Sequence, residues 1–226
     1  MSTITEHKGD LSEESLHQST AIHDAVGARA RLAAGNEAYV VAEANDGDIS
    51  QELVQRLFDE GQTPYACIVS CADSRVVPEH IFMTGLGELF CIRVAGNVIG
   101  DMEHASCLYA AEHLHVPLIV VLGHTNCGAI EAALESREAA AKGAREGEGD
   151  GAGDASQANA LTPLVAAICE SVGDEADPYT ASIVNLRAGV DALLADEDIA
   201  HLVEAGKLEV CGALYHTDSG RVVFLD

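Results

Sequence analysis

The stretch Ile68 to Arg75, IVSCADSR, ends one apolar run and opens a group of chemically active side chains. The run, Tyr65 to Val69, reads as a buried strand. Cys71, Asp73 and Arg75 then follow on the turn. A thiol, a carboxylate and a guanidinium at alternate positions are costly to place at the mouth of an apolar core, so they call for a partner.

The partner is His124 to Cys127, HTNC, which follows a second apolar run, Val116 to Leu122, and precedes a helix-like segment, Gly128 to Glu135. Two thiols and an imidazole, each just past a strand, are the S and N donor set of zinc, with a fourth corner left open for water or substrate. Cys71, His124 and Cys127 are therefore the candidate ligands of a catalytic zinc.

Sharing one ion also fixes the topology. Strands alternating with helices imply a parallel sheet with crossovers. Cys71 and His124 leave the first and third strands, and one metal binds both at ~2 Å only if those strands are neighbours. The second strand, Glu88 to Val94, then lies on the far side of the first, and the fourth, Leu208 to Tyr215, beyond the third. This gives an α/β fold with a mostly parallel sheet of order 2-1-3-4, the metal lying where the direction of travel across the sheet reverses. The turn Thr217 to Gly220 brings a short fifth strand, Val222 to Leu225, back as an antiparallel edge.

CADSR and HTNCGA, their order, and the segment GLGELFCIRVAGN (Gly85 to Asn97) resemble the β-class carbonic anhydrases, zinc enzymes that hydrate carbon dioxide to bicarbonate and a proton. The likeness runs from about Arg31 to the last residues and is closest to the plant-like members. It implies zinc on Cys71, His124 and Cys127 with the pair Asp73 and Arg75 beside it. It further implies that Gln62, Phe90 and Tyr109 line the cleft, partly from a second chain, so that the protein is a homodimer or a dimer of dimers. Other members carry a Trp in a bicarbonate site three residues before the first Cys; here that position is Ile68, which speaks against such a site.

The chemistry follows from the donors. Cys127 opens a helix, where free N–H groups favour an anion, and its thiolate is expected to form before any metal arrives. Two thiolates and one imidazole cancel the charge of Zn²⁺, so a water there is less acidified than on three histidines. Arg75 can hold Asp73 ionised through paired hydrogen bonds. Asp73 then accepts the hydrogen of the attacking oxygen and aims its lone pair at carbon dioxide. His80, close after the motif, is a candidate proton shuttle. The rival readings are a closed structural or regulatory zinc module, which needs a fourth protein ligand, and a related hydrolase of carbonyl sulfide or carbon disulfide.

The 226 residues, 48% of them apolar, suffice for one sizeable domain, read as 20–226 behind a polar arm at 1–19. A net charge of −25 with 12 Lys plus Arg repels nucleic acid and anionic membranes, and its even spread points to a salt-rich cytoplasm. The N-terminus has no apolar core of a secretory signal, and no run approaches ~18 apolar residues. A cytoplasmic location with reduced thiols is expected, with Cys67, Cys91, Cys107, Cys169 and Cys211 as small buried hydrophobes. A helix is expected over Thr20 to Ala42 with a break at Gly35-Asn36, and another over Gln51 to Glu60 with Leu53, Leu57 and Phe58 on one face. The Gly- and acid-rich segment 136–160 cannot bury enough surface to offset its ordering entropy and reads as a mobile insertion.

Overall fold

The structure is a computed structural model that describes residues 22–145 and 162–225. The arm at 1–19 lies outside the described residues. Five strands, β1 (Ala66–Ser70), β2 (Leu89–Arg93), β3 (Leu118–His124), β4 (Glu209–Tyr215) and β5 (Val222–Leu225), form one sheet of order β2-β1-β3-β4-β5. The first four pair in parallel and β5 pairs antiparallel to β4. The order is the one that a shared ion between β1 and β3 demands.

Helices cover both faces, which explains why β1 and β3 are buried at every position and apolar up to their carboxyl ends. Successive side chains of a strand point to opposite faces. Ala66, Ile68, Val120 and Leu122 pack with Ala28 and Leu32 of α1 (Ala25–Val40) and with Phe82, which follows α3 (Pro78–Ile81). Cys67, Val69, Ile119 and Val121 pack on the other face with α4 (Asp101–His113), α7 (Pro178–Leu194) and α8 (Glu197–Glu204). Leu186 of α7 fits where β3 and β4 carry Gly123 and Gly212; a Cβ at either would lie 2.7 or 2.6 Å from its methyl groups.

Helix α2 (Gln51–Glu60) is capped by Ser50, whose Oγ accepts from Leu53 N, and ends at Gly61 with φ +84°. Leu53 is buried, but Phe58 is 83% exposed, so the expected shared apolar face is not docked.

Two expectations are corrected. Helix α1 runs unbroken through Gly35-Asn36, because Asn36 is held by tertiary bonds: Nδ2 donates to Ile81 O and Gly220 O, and Oδ1 accepts from Val222 N. Helix α5 (Gly128–Arg145) continues ten residues past Glu135 into the segment read as an insertion. Its Ala-, Glu- and Arg-rich composition favours helix without needing an apolar face. The remainder, 146–160, lies outside the described residues. Helix α6 (Thr162–Val172) then packs beside α5 and α7. All seven cysteines are unbridged; Cys67, Cys107 and Cys211 are buried and Cys91 and Cys169 half-buried.

Candidate metal centre

Parallel pairing of β1 with β3, Ser70 opposite Leu122, delivers Cys71 and His124 to the same end of adjacent strands. The turn Thr125-Asn126, with Asn126 at φ +55°, brings Cys127 back to the head of α5. Thr125 is fixed from β4, its N–H donating to Tyr215 O while its Oγ1 accepts from Thr217 N. The sulfurs of Cys71 and Cys127 and a ring nitrogen of His124 all lie within 4.8 Å of one another, and all three residues are buried.

A metal fits this group. His124 Nδ1 lies 3.0 Å from Thr125 O, and since a carbonyl only accepts, Nδ1 carries the hydrogen and Nε2 is left bare. That Nε2 is buried without a hydrogen-bond partner, an orphan that a zinc bond of ~2.0 Å would satisfy. Among the described residues no fourth His, Cys, Asp or Glu joins the group, so a corner stays open.

The thiols divide their roles. The Cys127 thiol hydrogen is the largest influence on Cys71 and, against burial, brings its pKa down to about 4, with help from the N–H groups of Asp73 and Gly96. These amides sit 3.4 and 3.3 Å from Cys71 Sγ. Cys127 is pushed up instead, because it supplies that hydrogen and because it is buried. The helix-head amides of Ile130 and Ala129 act on Cys127 in the expected direction, but they are outweighed. The amides of Asp73 and Gly96 favour the charge of the thiol pair on Cys71, whereas the sequence expectation placed it on Cys127.

Asp73 stands outside the ligand group with both oxygens turned to Arg75. Oδ1 accepts from Arg75 N at 2.9 Å and from Nε at 3.0 Å, and Oδ2 accepts from Nη2 at 2.8 Å. This grip pulls the Asp73 pKa down to about 2. A cavity of about 590 Å³ opens beside Arg75, and His80, Tyr39 and Tyr215 line it too.

Two contributors lie in the Gly85 to Asn97 segment that carries the resemblance, but the sequence assigns neither a role. Arg93, at the end of β2, donates through Nη2 to Asp73 O at 2.9 Å and through Nε to Cys71 O at 3.5 Å, bracing the ligand turn. Gly96, in the 3-10 turn Ala95–Asn97, gives Cys71 its backbone N–H. Bonds to and from main-chain atoms leave no mark on residue spacing.

Gln62, Phe90 and Tyr109 are not brought to the cluster within one chain. Phe90 pairs with Cys67, four residues or ~13 Å back along β1 from Cys71. It meets the ring of Tyr109 at 6.1 Å, Tyr109 is 46% exposed, and Gln62 is exposed before β1 begins.

Residues 66–222 match the family model described as carbonic anhydrase. The chain is 34% identical over 198 residues to carbonic anhydrase 2 of Mycobacterium tuberculosis, an alignment covering 86% of this chain and 90% of that protein. It is similar to the solved structure of the β-carbonic anhydrase CcaA, with TM-score 0.62 and 25% identity over 78% of this chain and 79% of that one. The β-carbonic anhydrase CafA of Aspergillus fumigatus gives TM-score 0.60 and 26% identity over 77% and 81%.

Proposed function

We infer the function from one premise: the chain belongs to the carbonic anhydrase family, in its β class. Its reaction is the reversible hydration of carbon dioxide to bicarbonate and a proton, with zinc as cofactor. The observation that carries this reading is the open group of Cys71, His124 and Cys127, whose bare, buried Nε2 awaits a metal. A bound zinc supplies Lewis acidity and a nucleophilic oxygen at neutral pH. A closed structural zinc would need a fourth protein ligand, and among the described residues none joins the three.

The residues divide the remaining work. Cys71, His124 and Cys127 hold the metal. Asp73, kept ionised by Arg75, accepts the hydrogen of the attacking oxygen and turns its lone pair toward carbon dioxide. Arg75 positions that carboxylate. His80, on the shared cavity, takes the product proton toward solvent.

Gln62, Phe90 and Tyr109 act on the cleft of a second copy, in a homodimer or dimer of dimers. The exposure of Gln62 and Tyr109, and the distance of Phe90 from the cluster of its own chain, support this reading. A cytoplasmic, salt-rich setting accords with seven unbridged thiols and a net charge of −25. Among the described residues no helix is long and apolar enough to cross a membrane.

Stopped-flow hydration of carbon dioxide, with metal-depleted protein and after one equivalent of zinc, tests the function. Turnover that appears with zinc supports it. Zinc-independent turnover, or none with zinc bound, rejects it.

A further inference from the structure

One hydrogen-bond relay reaches Cys71 from two helices that contribute no ligand. Ser171 Oγ in α6 lies 2.6 Å from Asn185 Oδ1 in α7. Asn185 Nδ2 donates to Gly96 O at 2.8 Å, and Gly96 N donates to Cys71 Sγ at 3.3 Å. The Gly96 carbonyl only accepts, so the Asn185 amide has one orientation: nitrogen toward Gly96, oxygen toward the Ser171 hydroxyl.

Asn185 is 4% exposed and neighbours Leu186, the side chain seated against Gly123 and Gly212. A buried amide satisfied at both ends, on a helix docked that closely, is held in place. Gly96 has φ +67°, and a Cβ there would lie 2.9 Å from Ile168 Cδ1 of α6 and 3.4 Å from Ala129 Cβ of α5. The turn is thus enclosed by two helices and tied by the third. The Gly96 N–H and C=O belong to adjacent peptide planes, so the bond from Asn185 acts on the N–H by fixing its direction.

We propose that Asn185 is a positioning residue of the metal centre: by pinning Gly96 it aims the backbone N–H that the Cys71 sulfur accepts, and so sets how strongly that thiolate donates to a bound metal. This rests on the zinc reading above. Asn185 touches neither metal nor substrate. Groups that orient a metal's ligands commonly change its affinity 10–100-fold when removed, by order of magnitude (~).

The test uses the full chain loaded with cobalt(II), read by its near-ultraviolet thiolate-to-metal charge transfer, together with zinc affinity in chelator competition. A sulfur relieved of an N–H gives up its electron more readily, so Asn185→Ala is expected to move the band to lower energy, while the unpinned ligand turn weakens zinc binding about tenfold. Ser171→Ala, which frees the amide to turn, gives a smaller shift in the same direction and decides the matter if Asn185→Ala does not fold. Ser182→Ala is the control: among the described residues its buried hydroxyl bonds only to Pro178 O, at 2.8 Å on the same helix. It is expected to leave the band in place whatever its melting temperature. An unmoved band with unchanged zinc affinity in the deciding variant, or an equal shift in Ser182→Ala, overturns the inference and leaves the zinc reading standing. Wild-type protein that takes up cobalt with no thiolate band overturns both.

Discussion

Arg75 holds Asp73 by both carboxylate oxygens, Nε on Oδ1 at 3.0 Å and Nη2 on Oδ2 at 2.8 Å. The same Nη2 donates to Asn126 O at 2.9 Å, so one guanidinium joins the turn after β1 to the turn that separates His124 from Cys127. Arg75 is about half exposed, and an exposed ion pair contributes little to stability. Its value is direction: a forked pair fixes the plane of the carboxylate relative to the metal ligands.

Asp73→Asn keeps the Arg75 side chain one acceptor but loses the charge and the ability to take a hydrogen. Zinc content by elemental analysis should stay near one per chain, since Asp73 is no ligand. Turnover in stopped flow should fall by about a hundredfold or more, the usual worth of a positioned acid–base group. Cys71→Ala should instead lose the metal itself. An Asp73→Asn enzyme at wild-type rate would remove the carboxylate from the mechanism.

The division between the two thiols sets how many protons zinc displaces. Two ordinary thiols, with pKa of ~8.5, would release between one and two protons per metal at pH 7.5, most of two. Here Cys71, at about 4, is already ionised and only Cys127 still holds a hydrogen. Calorimetric titration of metal-depleted protein with zinc, in buffers of different ionisation enthalpy at that pH, should give close to one proton from the thiols. Cys71→Ser, with a neutral hydroxyl in place of the thiolate, should bind more weakly without lowering that count. Release of two protons by the wild type would mean that Cys71 is protonated too.

The cluster of Cys71, His124 and Cys127 was legible because these are side chains whose chemistry has few uses in common, and the expectation that they share one ion dictated the order of β1 and β3. Gly35-Asn36 was misread for the opposite reason. Glycine and asparagine are poor helix formers locally, yet the hydrogen bonds that Asn36 gives to Ile81 and Gly220 and accepts from Val222 decide the conformation, and those partners are distant in sequence. Phe58 shows the limit of periodicity: spacing placed it on a helix face, but nothing in spacing says that the face is covered. Arg93 acts on main-chain carbonyls and Gly96 through its own main-chain N–H, atoms that every residue has.

Gly35 gives a stability test of that tertiary control. A Cβ there would sit 1.8 Å from Phe82 O, so α1 must move off the turn after α3. Gly35→Ala should lose about 3 kcal/mol in denaturant unfolding, at the upper end of overpacking costs, although alanine is the better helix former. At Gly128 an added Cβ meets nothing within 4 Å, and Gly128→Ala should change stability by only about 0.5 kcal/mol. Equal effects at the two glycines would mean that α1 does not dock as described.

With 37 Asp plus Glu against 12 Lys plus Arg, each charge on the folded chain faces mostly like neighbours, whereas unfolding separates them. Salt should therefore favour the compact state. Screening length falls from ~10 Å at 0.1 M to ~3 Å at 1 M, so repulsion between surface groups about 10 Å apart is largely removed over that interval. The melting temperature of the zinc-loaded protein should rise steadily with potassium chloride to molar concentration, and sodium chloride should act alike, because screening depends on ionic strength rather than on which cation supplies it. A rise with potassium alone would indicate specific sites instead, and a flat or falling curve would show that the acidic surface is not an adaptation to salt.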